Sequence, residues 1–401
     1  ITHYIDEKTH DFLKRSQIHE NDILLSIAGS IGTVCIIPKE LVPSNTNQAL
    51  SIIRLINIFE HPNYVFYYLR FSSKEFLSKE KARGSGMNNV SLKDIKQLQI
   101  PLPPLNEQQR IVAKLDALLP KVKHAQARLA KIPGLVKKFR QSVLAAACSG
   151  RLTEDWREGK DLPEWEETTI REIAISMSTG PFGSTLHSYD YIENGIPVIN
   201  PTNITGNKII PDNSATLNQE KADELSRYKL RVNDILLARR GDLSKCGIVT
   251  EKEENWIAGS GLFILRISIN PKFFRYLFIS DSIQKVLNNN SVGSTMLNLN
   301  QKIVGSIGIS IPPLEEQHEI VRRVDCLFAL ADSLEAKYSN AMQRVAKIEQ
   351  ALLSKAFRGE LAPSDPQDEP AELLLQRILA EKAKSEDKQK TRKAKKKQSH
   401  R

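Results

Sequence analysis

Apolar residues recur at alternating intervals of four and three along two stretches of the chain. The first runs Ile111, Leu115, Leu118, Val122, Ala125, Leu129, Ile132, Val136, Phe139, Val143; the second runs Ile320, Val324, Leu327, Ala331, Leu334, Tyr338, Ala341, Val345, Ile348, Leu352. A seam of this period is the narrow apolar stripe of a helix that packs on another helix, so the pattern predicts two long rods packed together. Asn106 and Glu107 behind Pro103–Pro104 suit the start of the first rod, and Gly150 and Gly359 suit the two ends. About 40 residues at ~1.5 Å each make a rod of roughly 60 Å. Pro120 and Pro133 fall inside the first rod and predict kinks or an opened turn there.

Ahead of each rod the period changes. Between about 161 and 311, apolar runs at 196–199, 234–238, 247–249 and 262–267 are bounded by Gly, Asn, Asp and Pro and predict strands, whereas Lys272–Asn289 predicts a helix. The expected fold class is α+β: two mixed domains separated by two long antiparallel helices.

The two halves repeat one another. Positions from Gly84 onward reappear from Gly293 at an offset of 209, without a gap through Pro103/Pro312, Glu107/Glu316, Gln108/Gln317, Ile111/Ile320 and Asp116/Asp325, and again at Gly150/Gly359 and Leu152/Leu361. An earlier pair, Asn-Asp-Ile-Leu-Leu at Asn21 and at Asn233, has an offset of 212. Such a period is too long for a solenoid and marks a duplicated domain. The expected organisation is a first module over 1–103, a rod over 104–150, a second module over 151–312, a rod over 313–362, and a short helix with a basic tail over 363–401. The first copy begins at the counterpart of about Ile210, and the chain starts at Ile1, so the first module is expected to lack roughly fifty residues at its start. Asp365–Lys384 predicts a short amphipathic helix, and the closing run from Lys390 is expected to be disordered.

Composition narrows the class. The 57 Lys/Arg and 47 Asp/Glu give a net charge of +10. Glu381–Arg401 holds ten Lys/Arg and three Asp/Glu, hence +7, which leaves +3 on the other 380 residues. Any nucleic-acid surface on the globular part is therefore a local patch. No apolar run reaches the ~20 residues of a membrane span, and no signal-peptide pattern is present. Cys35, Cys148, Cys246 and Cys326 are far apart, form no CxxC, and fit a cytoplasmic protein.

No catalytic constellation is legible. A strand followed by GxGxxG is absent, as is a P-loop. The Asn200-Pro201 stretch lacks the second proline and the aromatic residue with which an adenine methyltransferase would hold a flipped base. The eight histidines are scattered, with no metal-ligand spacing.

The repeated segments PLPPLNEQQRIVAKLDALL, FRQSVLAAACSGRLTEDWR, IPPLEEQHEIVRRVDCLF and ALLSKAFRGELAPS resemble the two spacer regions of the specificity subunit of type I restriction–modification enzymes. LPEWEETTIREIA, GPFGSTLHSYDY and GIPVINPTNI resemble the opening of that family's second target-recognition domain. The resemblance covers residues 20–362. It implies a non-catalytic subunit whose two target-recognition domains each read half of a split duplex DNA sequence. Two adenine-methyltransferase and two restriction-motor subunits would assemble around it. It implies no cofactor in this chain; S-adenosylmethionine, ATP and Mg are expected on the partners. Paired rods then act as a ruler, and half-sites about one helical turn apart, ~34 Å, are read from one face. The alternative is a coiled-coil scaffold with two protein-binding modules, told apart by whether Lys/Arg cluster on one face of each module.

Three loops are candidates for DNA contact. Arg239, Arg240, Ser244 and Lys245 lie between two predicted strands, where guanidinium groups reach guanine edges or phosphates. Their first-copy counterpart, Ser26–Ile31, holds no arginine, as expected if the modules read different sequences. The second loop is Lys79, Lys81, Arg83, Asn88 and Asn89, with its repeat at Ser291–Asn300. Both copies share a Gly-Ser-x-Met-x-Asn frame, which favours backbone positioning or a structural turn over discrimination. The third is Gly180–Ser184, with Ser184 as a donor. The competing assignment for all of these is an ordinary solvated loop.

Overall fold

The duplicated Asn-Asp-Ile-Leu-Leu builds the same turn twice. Asn21 (φ 67°) and Asn233 (φ 70°) take left-handed backbone, which asparagine tolerates better than branched residues. The following carboxylates are buried and bridged alike. Asp22 accepts from His19 N at 2.7 Å and Arg54 Nε at 2.7 Å; Asp234 accepts from Arg231 N at 3.0 Å and Arg266 Nε at 2.7 Å. Burial pushes the Asp22 carboxyl up, but the Arg54 and His19 hydrogen bonds outweigh it and hold the group below its usual range.

The computed structural model describes residues 4–56, 62–82, 91–181, 185–290 and 299–398, without side chains at 73–82, 290 and 385–398. The elements used below are, in chain order, strands β1 (Ile23–Ser26), β2 (Val34–Ile36) and β3 (Leu50–Ile53); helices α1 (Asn63–Ala82), α2 (Leu105–Leu129) and α3 (Ile132–Cys148); strands β4 (Glu166–Thr169), β5 (Ala174–Thr179), β6 (Ile196–Ile199), β7 (Ile235–Ala238), β8 (Cys246–Ile248) and β9 (Leu262–Ile267); helices α4 (Pro271–Phe278) and α5 (Asp281–Asn290); strand β10 (Gly308–Ile311); and helices α6 (Leu314–Phe357) and α7 (Ala371–Gln398). They form two units: residues 1–130 with 339–401, and residues 131–338. Each unit holds one mixed region and a part of each rod.

In the second unit, an antiparallel sheet runs β8-β7-β9-β5. Strand β7 is buried at all four positions, which accounts for its continuous apolar run. The two faces still separate with period two. Ile235, Leu237, Phe263 and Leu265 pack with Phe274, Leu277 and Phe278 of α4 and Leu287 of α5; Leu236, Leu262 and Ile264 pack with Ile199, Ile204, Ile209 and Val249. The single helix expected over Lys272–Asn289 is two, α4 and α5, broken at Ile279–Ser280. Strands β4 and β10 pair antiparallel and bring the entry of the module beside its exit into the rod.

The first unit repeats the central three strands as β2-β1-β3. Ile23 packs with Tyr64, Val65 and Leu69 of α1, Ile111 and Leu115 of α2, and Leu353 and Ala356 of α6. Leu24 turns to the opposite face with Ile18 and Ile37.

The rods pair antiparallel inside each unit. In the second, Arg140 of α3 meets Asp332 at 2.6 Å, whereas Arg323 Nη1, two to three turns earlier on α6, donates to Leu152 O at 2.8 Å, beyond the end of α3. In the first, Lys114 Nζ donates to Leu361 O at 2.8 Å, the counterpart of the Arg323 bond at the 209 offset. Pro133 stands in the first turn of α3 and the first rod is divided there, while Pro120 is carried inside α2; the second rod is one helix of 44 residues. The seam has two exceptions: Leu334 and Ile348 are exposed. Gly150 (φ 79°) and Gly359 (φ 75°) end the rods in left-handed conformation, which a side chain would strain.

Where the second module meets its rod, Glu316 is wholly buried. It accepts from Thr153 Oγ1 at 2.6 Å, from Trp165 Nε1 at 3.1 Å and from the Arg157 guanidinium. Tyr276 donates to Asp325 just beyond, as Tyr67 does to Asp116 in the first unit.

The closing run departs from expectation. Rather than being disordered from Lys390, helix α7 continues to Gln398. No Gly or Pro follows Pro370, and Lys, Arg, Gln and Ala are all strong helix formers.

Candidate nucleic-acid interface

One end of the second unit's sheet gathers the Arg239–Lys245 loop with the described parts of the other two, Gly180–Pro181 and Leu299–Asn300. Arg239 N, just past β7, donates to Gly261 O at 2.9 Å, and Leu299 N, closing the turn before residue 300, donates to Arg239 O at 2.9 Å. Gly180, just past β5, donates to Leu262 O at 3.3 Å. Two further loops, not among the three DNA-contact candidates, complete the platform: Asn200–Pro201, weighed above only as a base-holding motif, after β6, and Gly259-Ser260-Gly261 before β9. The approach is close enough to demand glycine. A Cβ on Gly180 would stand 2.0 Å from Gly259 O, and one on Gly259 would stand 2.2 Å from Asn200 Oδ1.

The structure separates the two arginines. Arg239 is 9% exposed. It donates from Nη1 to Ser260 O at 3.1 Å, and its guanidinium lies 5.1 Å from the centre of the Phe263 ring. Burial, with Arg240 alongside, draws its pKa below the usual arginine value. Arg239 is thus tied into the loop by its side chain, which bears on both readings made from the sequence: it is not a solvated loop residue, and its Nη1 is spent on a carbonyl. Arg240 is exposed.

Lys245 Nζ donates to Pro201 O at 2.7 Å and pins the loop to its neighbour. Ser244 closes a local turn on Asp242 Oδ1, with N at 3.0 Å and Oγ at 2.6 Å, while Leu243 is buried beneath. Among the described residues of these loops the charged groups are Arg239, Arg240 and Lys245 against the carboxylate of Asp242. An exposed guanidinium, that of Arg240, on a glycine-lined platform suits phosphate oxygens and base edges.

The other candidates are placed only in part. Lys79 and Lys81 belong to helix α1, with side chains outside the described residues; Arg83, Asn88, Asn89 and Ser184 lie outside the described residues altogether. Asn300 accepts from Ile303 N at 2.9 Å and caps the short helix that follows, as Ser91 accepts from Asp94 N at 3.2 Å in the first copy. Among the described residues, no group of three or more His, Cys, Asp or Glu could hold a metal ion, and no helix is long and apolar enough to cross a membrane.

A family model described as the type I restriction modification DNA specificity domain matches residues 4–133 and 163–344, which is both modules and most of both rods. The chain belongs to this family. It is 36% identical over 348 residues to the Type I restriction enzyme EcoBI specificity subunit of Escherichia coli, covering 79% of this chain and 72% of that protein. With the EcoKI specificity subunit of Escherichia coli K12 it shares 32% identity, covering 77% and 69%. The fold is shared with the HsdS subunit from Thermoanaerobacter tengcongensis (TM-score 0.53, 24% identity, 86% and 82% covered). It is also shared with a chain from a structural study of assembly and conformational transition in the type I R-M system (TM-score 0.68, 24% identity, 86% and 83% covered). The sequence-based resemblance and the α+β architecture with long helices therefore hold.

Signals for the missed loops were present. Gly259-Ser260-Gly261 is a glycine-rich run between two predicted strands, and Asn200-Pro201 ends another. What was not legible was that they meet.

Proposed function

We propose that this chain is the DNA-reading specificity subunit of a type I restriction–modification complex and takes no part in the chemistry itself. The observation that carries the reading is the duplicated module on paired rods in a chain of this family. A duplicated reader suits a split target, one half per module. The loop platform of the second unit supplies the contact surface, with Arg240 as its exposed cation and Arg239 and Lys245 holding the loop in shape. Two methyltransferase and two restriction-motor subunits are the proposed partners. S-adenosylmethionine, ATP and Mg are assigned to them, because this chain has no motif that would bind these groups.

The test is to express the chain with its methyltransferase partner and sequence the methylated bases. The expected result is one motif in two fixed blocks separated by a stretch of free sequence. A contiguous motif, or methylation without sequence preference, overturns the reading.

A further inference from the structure

We infer that helix α7 is a second, sequence-independent DNA contact, a basic arm that grips duplex phosphates outside the target. The inference rests on the DNA reading above. The base of the arm is fixed. Asp368, whose side chain is 5% exposed, pairs with Arg110 at 2.5 Å and accepts from Asn106 at 3.2 Å, and Leu374 is buried. The sequence of the far part offers no apolar face. From Ser385 onward in α7 there is no apolar residue larger than Ala394, and after Asp387 there is no acidic one.

Between Lys388 and Lys397 lie seven cations: Lys388, Lys390, Arg392, Lys393, Lys395, Lys396 and Lys397. On a helix many of them stand one turn apart, as Lys388/Arg392, Arg392/Lys396 and Lys393/Lys397 do, and like charges at that spacing oppose the helix. A helix with no apolar face and internal repulsion is stabilised further by an external polyanion that neutralises it. Ten residues at ~1.5 Å give one positive charge per ~2 Å. Duplex DNA carries one negative charge per ~1.7 Å of axis, so the charge densities match. The other 380 residues sum to only +3, so most of the chain's net charge sits on this terminal stretch.

The arm would raise affinity for any duplex and steepen its salt dependence without altering the motif. The experiment compares the full chain with a variant carrying Gln at all seven positions, a change that keeps helix propensity. Binding to a duplex of about 30 base pairs lacking the target is followed from ~50 to ~200 mM salt. The slope of log affinity against log salt should flatten by roughly four to six on substitution, and preference for the target over this duplex should rise. Equal slopes, with preference for the target retained, overturn the arm and leave the proposed function standing. A flattened slope in a chain that prefers no sequence upholds the arm and sinks the proposed function. Polyglutamate that competes as well as duplex of equal charge would make the occupant an acidic protein, and the arm as a DNA contact would fall.

Discussion

The loop after β1 and the loop after β7 are the same scaffold carrying different chemistry. Ile27 N bonds Ala49 O as Arg239 N bonds Gly261 O, both at 2.9 Å, 212 positions apart. Gly29 (φ 70°) matches Gly241 (φ 72°), and Ile31 is buried as Leu243 is. Around that glycine the side chains differ: Ile27, Ala28, Ser30 and Thr33 stand where the second copy has Arg239, Arg240, Asp242 and Lys245. A duplicated frame with divergent tips lets two modules share one folding solution and read different sequences. A similar contrast holds at the rod. Glu316 is buried under Thr153, Arg157 and Trp165, whereas the positions 209 further on from these three are Ala362, Pro366 and Leu374, so the twin Glu107 meets no equivalent donors.

The largest expected effect breaks that second contrast. Glu316→Ala leaves three donors around an emptied site and should cost about 3–5 kcal/mol of stability. Glu107→Ala, at a half-buried position without those three donors, should cost only about 1 kcal/mol. Denaturant midpoints of both variants decide it; similar losses would mean that the junctions are energetically equivalent.

Next, the shared Asp–Arg bridge should behave alike in both copies. Asp22→Ala and Asp234→Ala should each cost about 2–3 kcal/mol, since each strands an arginine and a backbone N–H at a buried turn. Hydrogen exchange resolved by unit should place each loss in its own half, and a loss of one without the other would show the two turns are not equivalent.

The tip contrast is sharpened by Arg240→Ala. Binding should fall by roughly 1–3 kcal/mol, confined to one half of the motif, with melting unchanged. Arg239→Ala should instead lower melting, because its side chain braces Ser260 and Phe263. If the two exchange these signatures, the assignment of reader and brace is reversed.

The smallest effect is a pH dependence set by Glu319 of the second unit. Hydrogen bonds from Arg322 and Arg323 outweigh burial and hold Glu319 down at about 2, against 4.5 for a free glutamate. A depressed carboxylate contributes stability that is complete above the unfolded value and lost as pH falls through the folded one. Glu319→Gln should therefore flatten stability against pH between about 4.5 and about 2. Its counterpart in the first unit is Arg110, which offers no such carboxylate.

Much of this was legible in the residues. Heptad seams, terminal glycines and the duplication are local or periodic signals, and α6, the ends at Gly150 and Gly359, and strands β6–β9 follow from them. The break at Ile279–Ser280 and the helix beyond Lys390 were not legible: two successive amphipathic helices carry one continuous period, and a run of like charge opposes the helix that its residue types favour.

The sequence by itself determined the family, the repeat and the element types, because these depend on order and period along the chain. Only the tertiary structure decided that Gly180, Asn200, Arg239, Gly259 and Leu299 share one platform, and that of two adjacent arginines one is buried and the other exposed. Burial is set by what the fold brings over a residue, here Ser260 and Phe263 over Arg239, and no spacing within the Arg239–Lys245 loop encodes it.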